Sequence, residues 1–260
     1  MENNKPPAGV AIPEIKTAAD FWRHVQSPST RIKDANLQRE LSLDAARHFK
    51  DPLVRLAGVT VHSYRVLEKE VPSEALYQEL VAITHGAISH YPEQPGFQQL
   101  RWLVSANISL CSVEIARGDL SAAFDRAMTN VAWTEHAHGL GQVFTNVIKS
   151  CLLAIALVHL QGEKEPAAYE TCHRQASKLL EYSARVPQHY SFASQFAYEE
   201  LASVYNMLRQ IFRWNQLYLA CSAAGRSPQA DAELAGFEPK ALGGFLFKLL
   251  KGELPPKSTV

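Results

Sequence analysis

The chain has 260 residues, 47% of them hydrophobic, with 26 basic side chains set against 26 acidic ones. It is too apolar for a disordered polypeptide and long enough to bury a large core. Zero formal net charge argues against a protein whose main partner is nucleic acid or an anionic membrane, since either needs a positive field.

Residues Met1 to Pro13 contain Pro6, Pro7, Gly9 and Pro13 and read as an extended lead-in with no secretory signal. From Ile15 onward the apolar residues recur at three and four. Lys16 to Val25 is expected to be a short helix with Phe21, Trp22 and Val25 on one side. Asp34 to Phe49 follows, carrying Leu37, Leu41, Ala45 and Phe49 at helical spacing. Pro52 suits the first turn of the next helix, where its missing N–H costs nothing, and that helix is expected to run to about Lys69. Ser73 starts another, to about His90, with Leu76, Leu80, Ile83 and Ala87 as its stripe.

The break at Tyr91-Pro92-Glu93-Gln94-Pro95-Gly96 is the strongest punctuation, but helix resumes directly at Phe97 and runs to Arg117. Gly118-Asp119 turns the chain into a helix from Ser121 to about His138. Gly139 and Gly141 then precede a helix over Leu140 to Gln161, apolar nearly all round and therefore buried on most sides. Its segment Cys151 to Leu160 is about half the ~20 residues needed to span a bilayer. Glu165 to Arg185, Tyr190 to Leu208 and Ile211 to Ala223 are read as three further helices, and a last one lies around Lys240 to Lys251. No alternating run demands a strand, so the expected fold is all-α: stacked antiparallel helical hairpins, as a solenoid or an irregular α-bundle. The expected organisation is a lead-in over 1–14, a helical-hairpin domain over 15–235, a capping or docking helix over 236–254 and a tail over 255–260.

Two turns resemble each other. In Gly118-Asp119-Leu120-Ser121-Ala122-Ala123-Phe124 and Gly162-Glu163-Lys164-Glu165-Pro166-Ala167-Ala168-Tyr169, a long apolar helix ends at glycine. An acidic residue follows, and paired alanines lead to an aromatic. The two glycines stand 44 residues apart. The segment Asn107 to Val131 resembles a hairpin of the tetratricopeptide (TPR) family, although that family repeats at about 34 residues. The resemblance covers roughly Leu53 to Pro187. It implies a concave groove, lined by the first helix of each hairpin, that holds another protein or a peptide. The groove candidates are the polar residues that interrupt the apolar helices: Arg101, Asn107, Glu114, Asn146, Lys149, Tyr198 and Asn206. The lysine, asparagine and arginine clamp of carboxylate-binding family members is not recognisable, so no peptide specificity carries over.

Signatures of nucleotide-binding enzymes and common hydrolases (GxxxxGK[ST], GxGxxG after a strand, GxSxG, HExxH) are missing from the sequence. The sharpest chemical pattern is a pair of Glu-x-x-His motifs, Glu135 with His138 and Glu170 with His173. On a helix this spacing stacks carboxylate and imidazole on one face, as carboxylate-bridged metal sites require. It defines an alternative reading, a helical-bundle enzyme or small-molecule-binding protein using iron, manganese or zinc. Glu170 faces away from the apolar stripe, however, and the intervening helix supplies no carboxylate. His136 and His138 project to different sides of a helix, and Arg209, Arg213, Trp214 and Tyr218 read as an intramolecular stacking cluster. Cys111, Cys151, Cys172 and Cys221 form no CxxC pair and read as reduced, buried thiols, which points to the cytoplasm. The segment Phe237 to Leu254 is expected to cap the helical stack, with a homodimer contact as the alternative. The leading expectation is thus a cytoplasmic binding scaffold without a cofactor or catalysis of its own.

Overall fold

The computed structural model is all-α, and among the described residues every regular element is helical. The structure describes residues 13–26, 30–63, 71–89, 91–134, 142–160, 170–178, 198–227 and 249. The elements are α1 (Ala18–Phe21), which runs into a π-helical turn over Trp22–Gln26, then α2 (Ala35–His48), α3 (Pro52–Ser63) and α4 (Glu74–Ile88). They continue with α5 (Phe97–Arg117), α6 (Leu120–Val131), α7 (Gln142–Leu160), α8 (170–178) and α9 (Tyr198–Ala223).

The helix starts follow local chemistry. Asp34 caps α2 by accepting from the Asn36 and Leu37 amides at 2.9 and 3.0 Å. Asp51 accepts from Leu53 N at 2.8 Å beside Pro52, and Ser73 accepts from Leu76 N at 3.3 Å. Each satisfies an amide that the first helical turn leaves without a partner. The Gly118-Asp119 turn works at both ends. Gly118 takes the left-handed conformation (φ 79°), and its amide and that of Asp119 bond back to Ile115 and Glu114 carbonyls, both at 2.9 Å. Asp119 then caps α6 through Ala122 N at 3.1 Å.

Helices α3, α5 and α7 form a row of neighbours. α4 packs on α3 and α5, and α6 packs on α5 and α7, so each bridges one seam of the row. α2 closes the row at α3, and α9 packs on α7. The core runs through all of these elements, with Leu56, Leu80, Leu100, Leu110, Ile115, Ile148 and Leu152 among its fully buried side chains. α2 and α3 cross at Gly58, where an added Cβ would meet the Ser42 carbonyl oxygen at 2.4 Å and the Ala46 Cβ at 2.8 Å. Arg47 clamps Glu79 with two bonds of 2.7 and 2.8 Å, tying α2 to α4.

Three expected elements differ in detail, the first being the helix expected to about His138, whose continuous run ends at Val131 with a turn at Ala132 and Trp133. The helix expected over Lys16 to Val25 is divided between α1 and the π turn, while Phe21 and Val25 are still buried. The interruption expected between Leu208 and Ile211 does not exist, because α9 runs unbroken from Tyr198 to Ala223. Arg209 and Gln210 merely face outward between buried Leu208 and Phe212, and no glycine or proline intervenes to stop the helix. The expected capping segment over 236–254 lies outside the described residues apart from Leu249, which is buried.

Candidate functional site

The seam between α5, α6 and α7 holds an unusual amount of buried polarity. Asn107 Nδ2 donates to Asn130 Oδ1 at 2.9 Å, while Asn130 Nδ2 donates to the Val104 carbonyl and to Ser150 Oγ, both at 3.0 Å. Ser150 in turn donates to the Asn146 carbonyl at 2.9 Å. Such a satisfied network fixes how the three helices lie along one another, since any slip would orphan several groups at once.

On the α5–α7 side, Asn146 Nδ2 donates to Ser105 Oγ at 3.0 Å, and Lys149 Nζ donates to Asn146 Oδ1 at 3.3 Å. Between Thr145 and Val158 every residue of α7 is buried except Lys149, which keeps partial access to solvent. No carboxylate among the described residues pairs with it. The apolar surroundings hold its ammonium down to about 8, because burial disfavours the charged form and nothing opposes that. Ser105, one helical turn beyond Arg101, is itself part-exposed. Arg101 is buried with its guanidinium 4.7 Å above the Trp102 ring, and burial lowers its pKa as well.

Glu114 has a different setting. It is 0% exposed, and its Oε1 accepts from Tyr77 Oη at 2.8 Å, from Arg126 Nε at 2.7 Å and from Arg126 Nη2 at 2.6 Å. Its Oε2 is buried without a hydrogen-bond partner. Arg117 stacks on the Tyr77 ring at 4.7 Å, donates to the Pro72 carbonyl at 3.1 Å and pairs with Glu74. This chain of contacts joins α4, α5 and α6.

The sequence-derived groove candidates therefore occupy distinct environments. Asn146, with Lys149 bonded to it, meets Ser105 at the α5–α7 seam and Arg101 is buried one helical turn before Ser105 on α5, whereas Asn107 Nδ2 and Glu114 Oε1 are engaged between helices. Asn206 is exposed on α9 and accepts from Arg209 at 2.9 Å; Tyr198 begins that helix. Of the metal alternative, Glu135 and His138 lie outside the described residues. Glu170 is exposed, and the His173 ring lies 4.8 Å from that of Phe212 with its pKa lowered by burial. Among the described residues no three His, Cys, Asp or Glu side chains gather as a metal group. Trp214 stacks on Tyr218 at 5.0 Å, and both are buried. No helix among the described residues is long and apolar enough to cross a membrane.

Tyr77, Ser105, Arg126 and Asn130 were not singled out from the sequence. Asn130 could have been, since it stands seven positions after buried Ala123 on the apolar stripe of α6. Arg126 and Tyr77 carry no such mark, because they meet Glu114 only through tertiary packing. Compared with protein-family models, curated proteins and solved structures, the chain gives no match.

Proposed function

We propose that this chain is a helical-hairpin scaffold that binds another protein or a peptide, with Lys149 and Asn146 anchoring an acidic group of that partner. The row of α3, α5 and α7 bridged by α4 and α6 is the neighbour pattern that stacked TPR-like hairpins would produce, which supports the reading. The observation that carries it is the break in the buried run of α7 between Thr145 and Val158, where a part-exposed lysine has no carboxylate partner among the described residues. A carboxylate arriving there supplies the missing opposite charge and meets an amide and a hydroxyl already held by Asn146 and Ser105. Four free, buried cysteines fit a reducing compartment such as the cytoplasm.

The pH dependence follows from the lysine. An incoming anion favours the charged ammonium, so binding takes up protons around pH 8 and weakens as pH rises through that value. The test is fluorescence anisotropy against a library of acidic peptides, with Lys149→Glu as the variant and circular dichroism as the check on folding. Loss of at least about tenfold in affinity, roughly 1.4 kcal/mol, is expected for the peptides that bind. Equal binding by wild type and Lys149→Glu would remove the anchor from this position.

A further inference from the structure

One carboxamide on α7 holds both an amine and a hydroxyl. Asn146 Oδ1 accepts from Lys149 Nζ at 3.3 Å, and Asn146 Nδ2 donates to Ser105 Oγ on α5 at 3.0 Å. The Ser105 oxygen is the acceptor in that bond, so its own O–H remains able to donate to another group. Nor does the bond to Asn146 use the Nζ lone pair, which is available whenever the amine is neutral. The surroundings favour that neutral form. Ile148, Leu152 and Leu153, beside Lys149 and one turn beyond it, are 0% exposed, yet the lysine itself keeps partial access to solvent. No carboxylate among the described residues balances the ammonium, and burial brings it down to about 8. Lys16, Lys33, Lys50 and Lys178, by contrast, are exposed.

We propose that Lys149 is a covalent capture site for small uncharged aldehydes, which it holds as a Schiff base beside Asn146 and Ser105. A lysine drawn out of water with no opposing charge is in the state in which an ε-amine acts as a nucleophile. The Nζ lone pair forms the C–N bond while the carbonyl π pair moves to oxygen, and one amine proton follows it through solvent. The Ser105 O–H donates to that oxygen and stabilises the charge developing on it. The carbinolamine hydroxyl then leaves as water with the second amine proton, giving the C=N bond; nothing is oxidised or reduced. Imine formation removes the ammonium that burial disfavours. An uncharged ligand loses nothing by this, whereas an oxo acid would give up the cation its carboxylate needs. With the flanking α7 positions buried, the carbonyl carbon that reaches Nζ must be lightly substituted, which favours an aldehyde over a ketone. The reaction uses the lysine as a neutral amine and does not depend on the peptide-binding reading, which uses it as a cation.

The experiment treats the folded full-length chain with butanal and sodium cyanoborohydride, which reduces the imine to a stable butylamine. Peptide mapping by mass spectrometry follows each lysine with time. At pH 7, Lys149 should be butylated at least tenfold faster than Lys16, Lys33, Lys50 and Lys178. Equal rates at all five lysines overturn the site. The preference should shrink towards pH 10, near the ordinary lysine value of about 10.4, because exposed amines then become neutral too. A preference that persists unchanged at that pH overturns the neutral-amine basis. Ser105→Ala, with its fold checked by circular dichroism, should slow capture at Lys149 about tenfold, and an unchanged rate overturns the part given to the hydroxyl. Should that variant fail to fold, the comparison of five lysines in wild type still decides. Acidic peptides that bind in the anisotropy assay while no adduct forms at Lys149 overturn the aldehyde site alone and leave the anchor standing.

Discussion

Glu114 is the residue whose environment carries the largest energetic consequence. A carboxylate without solvent access is tolerable when a guanidinium and a phenol converge on it, and Arg126 and Tyr77 do so. Arg126→Met leaves that charge buried and opposed by a single neutral donor, so it should cost about 3–5 kcal/mol in urea unfolding. Adding Glu114→Met to the same chain should recover much of the loss, because the orphaned charge then disappears. His62 makes a second, pH-dependent case. Its Nδ1 donates to the Arg39 carbonyl at 3.2 Å while Arg39 Nε donates back to the His62 carbonyl at 3.1 Å. That bond assigns the proton to Nδ1 and leaves Nε2 buried without a partner. Burial lowers the imidazole pKa despite the carbonyl, so the unfolded chain binds the proton first as pH falls. Stability should therefore drop as pH goes below about 6.5, the ordinary histidine value, and His62→Gln should remove that component when urea midpoints are compared at pH 7.5 and 5. The sequence shows Glu114 as a polar interruption in an apolar helix and shows nothing of the residues 37 and 12 positions away that neutralise it.

At the level of single helices, most of the structure could be read from local chemistry. Asp34, Ser73 and Asp119 mark helix starts because they accept amides of the first turn, and Pro52 marks one because it brings no amide there to satisfy. The unbroken α9 was missed for a complementary reason: two polar residues in a row look like an interruption when they are only the outward face. The α2–α3 crossing was invisible as well. Gly58 is an expensive residue in a helix interior, and only the Ser42 and Ala46 backbone pressed against it explains its presence. Gly58→Ala gains helix propensity but cannot seat its methyl, so a net loss of about 1–3 kcal/mol in thermal unfolding is expected. Gly118→Ala meets a conformational obstacle instead. Its left-handed φ should cost about 1–2 kcal/mol, measured the same way.

For the molecule as a whole, balanced charge has a practical effect. With equal numbers of acidic and basic groups and a sequence pI near 7.2, electrostatic repulsion between copies is weakest around neutral pH. Solubility measured by precipitation should pass through a minimum there and improve about one unit to either side. The all-α class was legible in the spacing of apolar residues, and so was the deep burial of α7. The order of the α3, α5 and α7 row was not, because periodicity reports which face is buried and never which helix covers it. The candidate site was half legible: Lys149 and Asn146 stand out in the sequence, but the place of Ser105 and the break in the buried run at Lys149 emerge only once α5 lies beside α7. That enclosure also orders the chain in time. With α5, α6 and α9 packed around it, α7 should be the last helix to exchange its amide hydrogens for deuterium, losing protection only when the whole fold opens. A bound partner reaching the chain through Lys149 alone would then leave those amides almost unchanged and slow exchange mainly in the outer helices.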